Sequence, residues 1–198
     1  MSTIIKDIHS PIEDIIFTVS AWEIFQYFLI LRNQAQVNLR VSCQAHTHVT
    51  IKILCLGTAM CTIQHTTLVT LDGDHASADV YMLSLLKNKS DVQIHGNVTL
   101  SPGIKKVSWH LLEENIILGE KIKIRTAPIL DVRSSDVGAS HGCRVERLDP
   151  KRLFYMQSRG LTQSESQSLI LDGYLNAMFE WFEVSEDLIK DIKTQILQ

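Results

Sequence analysis

His141 and Cys143 stand two residues apart in the stretch 140–160, "SHGCRVERLDPKRLFYMQSRG". On an extended segment, residues i and i+2 leave the same face, so an imidazole and a thiolate would project side by side. That donor pair suits iron, zinc or an iron–sulfur cluster. Gly142 between them lets another backbone or subunit come close. Two ligands do not complete a coordination sphere, so the remainder must come from elsewhere. On chemistry alone, a purely structural role for the pair stays open.

The other chemically capable residues read more plainly. His46 and His48 form an H-x-H pair, which on one strand would share a face as in cupin metal sites. Here Lys52 follows and no acid appears before Gly57, so a cupin set is incomplete. His65, His75 and His95 have no regularly spaced partner and read as solvated loop residues. Cys43, Cys55 and Cys61 lie in or beside alternating apolar runs, where a free cysteine behaves as a small core hydrophobe. Glu113 and Glu114 are adjacent, so on a strand they face opposite ways and make no acid–base couple. Without a nucleophile elbow, a phosphate-binding loop or a dinucleotide fingerprint, the chain is expected not to be an enzyme.

Positioning these residues falls to a strand-rich body. Val37, Leu39, Val41 and Cys43 alternate with polar residues, as do Val49, Ile51, Ile53 and Cys55, which is the period of a half-buried strand. Further short strands are expected at 67–71, 78–85, 91–94, 98–100, 115–118, 122–124 and 129–132. Turn-forming pieces such as "LDGD", "KNKS", "HGN", "SPG" and "LGEK" separate them. Asp72-Gly73 is the only minimal hairpin signal, which favours a parallel β-helix, while a sandwich stays open on pattern alone. The apolar run 15–31 is short for a bilayer span and contains Glu23 and Gln26, so it reads as one long buried element or two strands.

The C-terminal part is helical. Asp149 is an N-cap followed by Pro150, and Gly160 marks an end, giving a helix over 150–159. Thr162 and Glu165 form a capping box that opens a second helix toward Phe182. A third begins near Ser185. The expected organisation is an N-terminal segment 1–36 leading into the core, a β-helix core 37–148 and a helical segment 149–198.

Bulk properties narrow the functions. A length of 198 residues allows one full core, and 45% apolar content with four prolines and nine glycines describes a folded globular chain. A formal charge of −3 and a pI near 6.2 provide no general attraction to nucleic acid or an acidic membrane. The four cysteines contain no CxxC pair, and Asp7, Glu13 and Asp14 beside Lys6 do not make a signal-peptide n-region. Reduced thiols and a cytoplasmic location are expected.

The stretch 136–161, "DVGASHGCRVERLDPKRLFYMQSRGL", resembles the end of the core of the SufB/SufD family of SUF-system iron–sulfur cluster assembly scaffolds. In that family D-V-x-x-S-H-G runs into L-D-x-x-x-L-F-Y-x-x-S-R-G. Asp136, Val137, Ser140, His141, Gly142, Val145, Leu148, Asp149, Leu153, Phe154, Tyr155, Ser158, Arg159 and Gly160 match it. Weaker similarity covers "NVTLSPGIKKV", the stretch 111–122 and the region onward to about Phe182. The resemblance implies a mainly β fold, a right-handed parallel β-helix with a C-terminal α-helical segment. It implies a non-catalytic scaffold subunit that pairs with a SufB-like or identical subunit and docks a SufC-like ABC-type ATPase on its helices. Leu153, Phe154, Tyr155 and Arg159 would then face a partner. His141 would lie at the subunit interface, with Cys143 as a second candidate ligand to transient iron or a cluster, none firmly bound.

Gly142 points to the SufD-like branch, because SufB-like chains carry glutamate there. Two departures are visible. Ala139 stands where many relatives have a cysteine, and Cys143 replaces a usually small residue. The chain is also shorter than the usual family member, lacking most of its N-terminal helical region. The rival reading is a structural or interaction β-solenoid without a cluster role. No row of aligned acids supports a polysaccharide-cleaving β-helix.

Overall fold

The computed structural model describes residues 2–8, 12–58, 60–87 and 89–197. The "KNKS" turn includes Asn88, which lies outside the described residues. The strands are β1 (Ser2–Ile8), β2 (Ile12–Val19), β3 (Ile24–Arg32), β4 (Gln34–Cys43), β5 (His48–Gly57), β6 (Cys61–Leu71), β7 (Ser77–Leu86), β8 (Ser90–Leu100), β9 (Lys105–Ile117), β10 (Ile122–Thr126), β11 (Ile129–Val132) and β12 (Asp136–Arg147). The helices α1 (Pro150–Ser158), α2 (Gln163–Phe179) and α3 (Glu186–Leu197) follow.

Successive strands alternate between two sheets. One, the odd-numbered sheet, has the order β1-β3-β5-β7-β9 and ends in β12; the other, the even-numbered sheet, has the order β10-β8-β6-β4-β2, with β11 also on β8. Every pairing is parallel, from Ser2 opposite Phe25 at one end to His141 opposite Leu111 at the other. The molecule is therefore a β-solenoid with two strands per rung and a helical C-terminal segment. Its parallel ladders exclude the antiparallel sandwich that the strand pattern left open.

Burial explains both the alternating and the continuous apolar runs. Between the sheets lies a core of inward-facing residues such as Leu29, Leu39, Ile53, Val69 and Val92. Outside the odd-numbered sheet, Phe28, Ile30, Leu54, Leu56, Leu83, Leu85 and Ile116 form a second core with Leu171, Leu175, Met178 and Phe182 of the α2 region and Ile192 and Ile196 of α3. β3 and β5 are thus buried on both faces, which removes the polar half of the alternation. The run 15–31 is the two strands β2 and β3. No helix among the described residues is long and apolar enough to cross a membrane.

Two expected boundaries are corrected. "HGN" is not a turn, because β8 runs straight through it with Gly96 facing inward. A side chain there would meet Leu111 Cδ2 at 2.6 Å and Glu113 Oε1 at 2.8 Å, so glycine serves close approach between the sheets. β9 begins at Lys105 rather than near 115, because Val107, Trp109 and Leu111 already alternate into the core.

The helix ends follow their capping residues. Asp149 accepts from Lys151 N at 2.9 Å, and Gly160 takes a φ of +94° just past α1. Both halves of the capping box form, with Glu165 N donating to Thr162 Oγ1 at 3.2 Å and Thr162 N donating to Glu165 Oε2 at 2.8 Å. Lys52 of β5 donates from Nζ to Ala177 O and Glu180 O, 2.7 Å each, capping the far end of α2. Buried Arg32 holds Asp7 of β1 at 2.8 Å and Asp191 of α3 at 2.6 Å, tying α3 to the sheet.

Candidate functional site

β12 is the last strand of the odd-numbered sheet. It pairs with β9 on one side and has no strand on the other among the described residues. In register, His141 lies opposite Leu111 and Cys143 opposite Glu113. Leu111 belongs to the inner core, and Glu113 reaches across to the amide of Gly96, so His141 and Cys143 share the inward face. They are nonetheless exposed, as residues of the last strand of their sheet. The two residues occupy the open end of the solenoid interior.

Beneath Cys143 is a buried polar cluster that the sequence reading did not identify. Glu113, 1% exposed, accepts from Gly96 N at 2.9 Å and from the Thr126 hydroxyl. Cys143 Sγ lies 3.7 Å from Thr126 Oγ1. The even-numbered sheet is interrupted beside this cluster. β10 stops at Thr126, opposite Ile94, and β11 resumes at Ile129, opposite Asn97. The Glu113 carboxylate takes the Gly96 amide at that gap, satisfying a donor that would otherwise be orphaned. Burial pushes the Glu113 carboxyl above its ordinary range, opposed by hydrogen bonds from Thr126, Gly96 and Cys143. Burial likewise raises the Cys143 thiol, with the Glu113 charge adding to the effect. Two adjacent acids in a strand register require one of them to face inward, and that was the available signal for Glu113.

Glu114 does point the other way. It accepts from Tyr81 Oη at 2.5 Å and pairs with Arg144 of β12. Arg144 also lies 3.6 Å from Glu146, which accepts from Tyr174 Oη of α2 at 3.1 Å. This outward network fastens the edge strand to the helices. Among the described residues, no group of three or more histidine, cysteine, aspartate or glutamate side chains is arranged to hold a metal ion. His141 and Cys143 therefore supply at most part of a ligand set.

The remaining sequence candidates are placed as follows. α1 buries none of its residues, and Phe154 and Tyr155 are 72% and 60% exposed. Leu153 is half-buried, and the Arg159 guanidinium lies 5.3 Å from the Tyr155 ring centre. Cys43, Cys55 and Cys61 are buried. His46 sits in a turn and His48 opens β5, so the H-x-H pair does not lie on one strand. His75 is in an exposed turn. His65 and His95 are corrected, since both lie in strands and His65 is fully enclosed in the core.

A parallel β-solenoid with ligand-type side chains on its terminal edge, followed by an uncovered helix, defines the structural class. The family model described as "SUF system FeS cluster assembly, SufBD core domain" matches residues 29–174, and the chain belongs to that family. The iron-sulfur cluster assembly protein SufD of Escherichia coli (strain K12) is 26% identical over 97 residues, 49% of this chain and 23% of the relative. SufD of Bacillus subtilis (strain 168) is 26% identical over 146 residues, 74% of this chain and 32% of the relative. A SufBD family protein of Methanothermobacter thermautotrophicus (strain Delta H) is 30% identical over 108 residues, 54% of this chain and 26% of the relative. The chain spans about a quarter to a third of the length of these relatives.

Proposed function

We propose that the chain is a non-catalytic scaffold subunit of iron–sulfur cluster assembly, of the SufD-like kind, in the cytoplasm. The observation that carries this reading is the family match across the solenoid and α1, together with the placement of His141 on the free edge strand. An unpaired edge presents backbone donors and acceptors to a second strand. Gly138 and Gly142 on that strand leave room for a close neighbour, since a side chain at Gly138 would meet nothing within 4 Å.

In this reading β12 pairs with a related or identical subunit, and the partner completes a ligand set begun by His141 and Cys143. The iron or nascent cluster is cargo, held transiently between subunits. Cys143 becomes a ligand only as thiolate, and its raised proton affinity makes His141 the readier donor. On the opposite side of the edge, α1 presents Leu153, Phe154, Tyr155 and Arg159 to an ABC-type ATPase. Beside α1, a groove of about 470 Å³ lined by Met156, Leu169, Gly173 and Ala177 extends that surface.

Anaerobic reconstitution with ferrous iron and sulfide tests the ligand assignment. Iron content and the cluster's visible absorption are expected to fall in His141→Ala and, less steeply, in Cys143→Ala. Unchanged values in both variants reject the assignment. Capture of a SufC-like ATPase by the wild type, lost in a Phe154→Ala, Tyr155→Ala double variant, tests the docking face. Absence of any capture by the wild type favours a solenoid without a cluster role.

A further inference from the structure

The turns leading into β3, β5 and β7 and the start of β9 repeat one backbone state. Trp22, His46, His75 and Lys106 have φ of 68°, 58°, 59° and 54°, the left-handed region that side-chain-bearing residues rarely take. Hydrogen bonds between rungs fix the repeat: Trp22 N to Ala45 O at 3.2 Å, His46 N to Asp74 O at 2.9 Å and His75 N to Lys105 O at 3.0 Å. The side chains consequently leave the corner in parallel. Trp22 and His46 stack at 3.8 Å with planes 6° apart, and His46 and His75 at 4.7 Å with planes 8° apart.

These two imidazoles differ from others in the chain. His48, His65 and His110 each engage a hydroxyl at 2.7 Å, whereas His46 and His75 show no hydrogen-bond partner among the described residues. Two neighbouring imidazoles at one corner are therefore left without a hydrogen-bond partner among the described residues. Imidazole is the commonest protein ligand for divalent transition ions. Rings 4.7 Å apart can share an ion at nitrogen–metal distances of about 2.0–2.1 Å once each turns its edge inward about χ2. In the stack their lone pairs lie in parallel planes, so binding must open the His46–His75 contact and disturb the ring of Trp22 against His46.

We propose that His46 and His75 form a two-imidazole clip for a divalent transition ion of the copper, nickel and zinc group, with water completing the coordination. The backbone ladder sets the two ligands side by side before the ion arrives, which lowers the ordering cost of binding. This clip uses none of the residues of β12 and does not depend on the scaffold reading.

Cu²⁺ is the probe, titrated into the full chain carrying His141→Ala and Cys143→Ala, followed by calorimetry and tryptophan emission. One ion per chain is expected, with saturable quenching. His46→Asn and His75→Asn, each tolerant of positive φ, are expected to weaken binding at least about tenfold, the scale of a disturbed ligand set. Trp22→Phe should keep the calorimetric binding and lose most of the quenching. No saturable binding, an unchanged affinity in either histidine variant, or equal quenching in Trp22→Phe would each overturn the proposal. Circular dichroism of every variant separates loss of the clip from loss of the fold.

Discussion

Replacing His65 and its partner Thr67 with Leu and Val should make the protein more resistant to mild acid. His65 is 2% exposed, faces inward from β6, and its Nε2 lies 2.7 Å from Thr67 Oγ1. Burial lowers its pKa from 6.5 to about 4. Between those values the unfolded chain binds a proton that the folded chain refuses, so stability rises with pH in that window and falls on acidification. One such group removes about 2 kcal/mol between pH 7 and pH 5, and on the order of 3 kcal/mol across the whole shift. Carboxylates titrate in both proteins, so the informative quantity is the difference between wild type and the His65→Leu, Thr67→Val variant. Urea denaturation at several pH values from 5 to 7 measures it. The gap should move in favour of the variant by about 2 kcal/mol as pH falls from 7 to 5. Curves that stay parallel over this range would show that His65 titrates normally and that its enclosure has no such energetic consequence.

Two further substitutions probe how the helices are held. Lys52→Met leaves the carbonyls of Ala177 and Glu180 without their shared donor, and a loss of about 1–3 kcal/mol in chemical denaturation is expected. A neutral result would mean that desolvation of the ammonium, which lowers its pKa, cancels the two bonds. Leu175→Ala opens the interface between α2 and the sheet at a fully buried position and should cost about 2–5 kcal/mol, read from the shift in the urea midpoint. A loss well below 1 kcal/mol would mean the helices ride on the solenoid without packing energy.

The legibility of these features in the sequence follows from their physical range. Period-two alternation marks β4 and β5, because the inward residues of both meet the same core, and short apolar runs mark the end of β6 and most of β7. The cap residues Asp149, Gly160, Thr162 and Glu165 located the helix ends, because capping is decided within four residues. β8 was divided at "HGN" because glycine reads as a turn locally, whereas here it answers a contact with Leu111 and Glu113 from another rung. The inward placement of His65 was equally invisible, since a histidine among threonines looks solvated until the register of both neighbouring strands is known. Glu113 belongs to the same class: its partners Gly96, Thr126 and Cys143 come from three different strands.

Two columns of inward-facing residues run along the odd-numbered sheet and end at His141 and Cys143. One inward column passes through Tyr27, Ile51, Val80 and Leu111 and ends at His141. Its neighbour passes through Leu29, Ile53, Met82 and Glu113 and ends at Cys143. Aliphatic residues dominate both columns while an opposite sheet covers them, since burial there rewards apolar area. On the last two strands the columns turn to a buried carboxylate, an imidazole and a thiol. A terminal rung required only to shield the core would be well served by polar residues of any kind. Two metal-competent donors on one face are a narrower choice, and they fall on a strand whose other edge has no partner among the described residues. On the proposed scaffold reading, cluster binding and subunit pairing would both fall to β12, so His141→Ala is expected to lower iron content on reconstitution while leaving the urea midpoint of the solenoid unchanged.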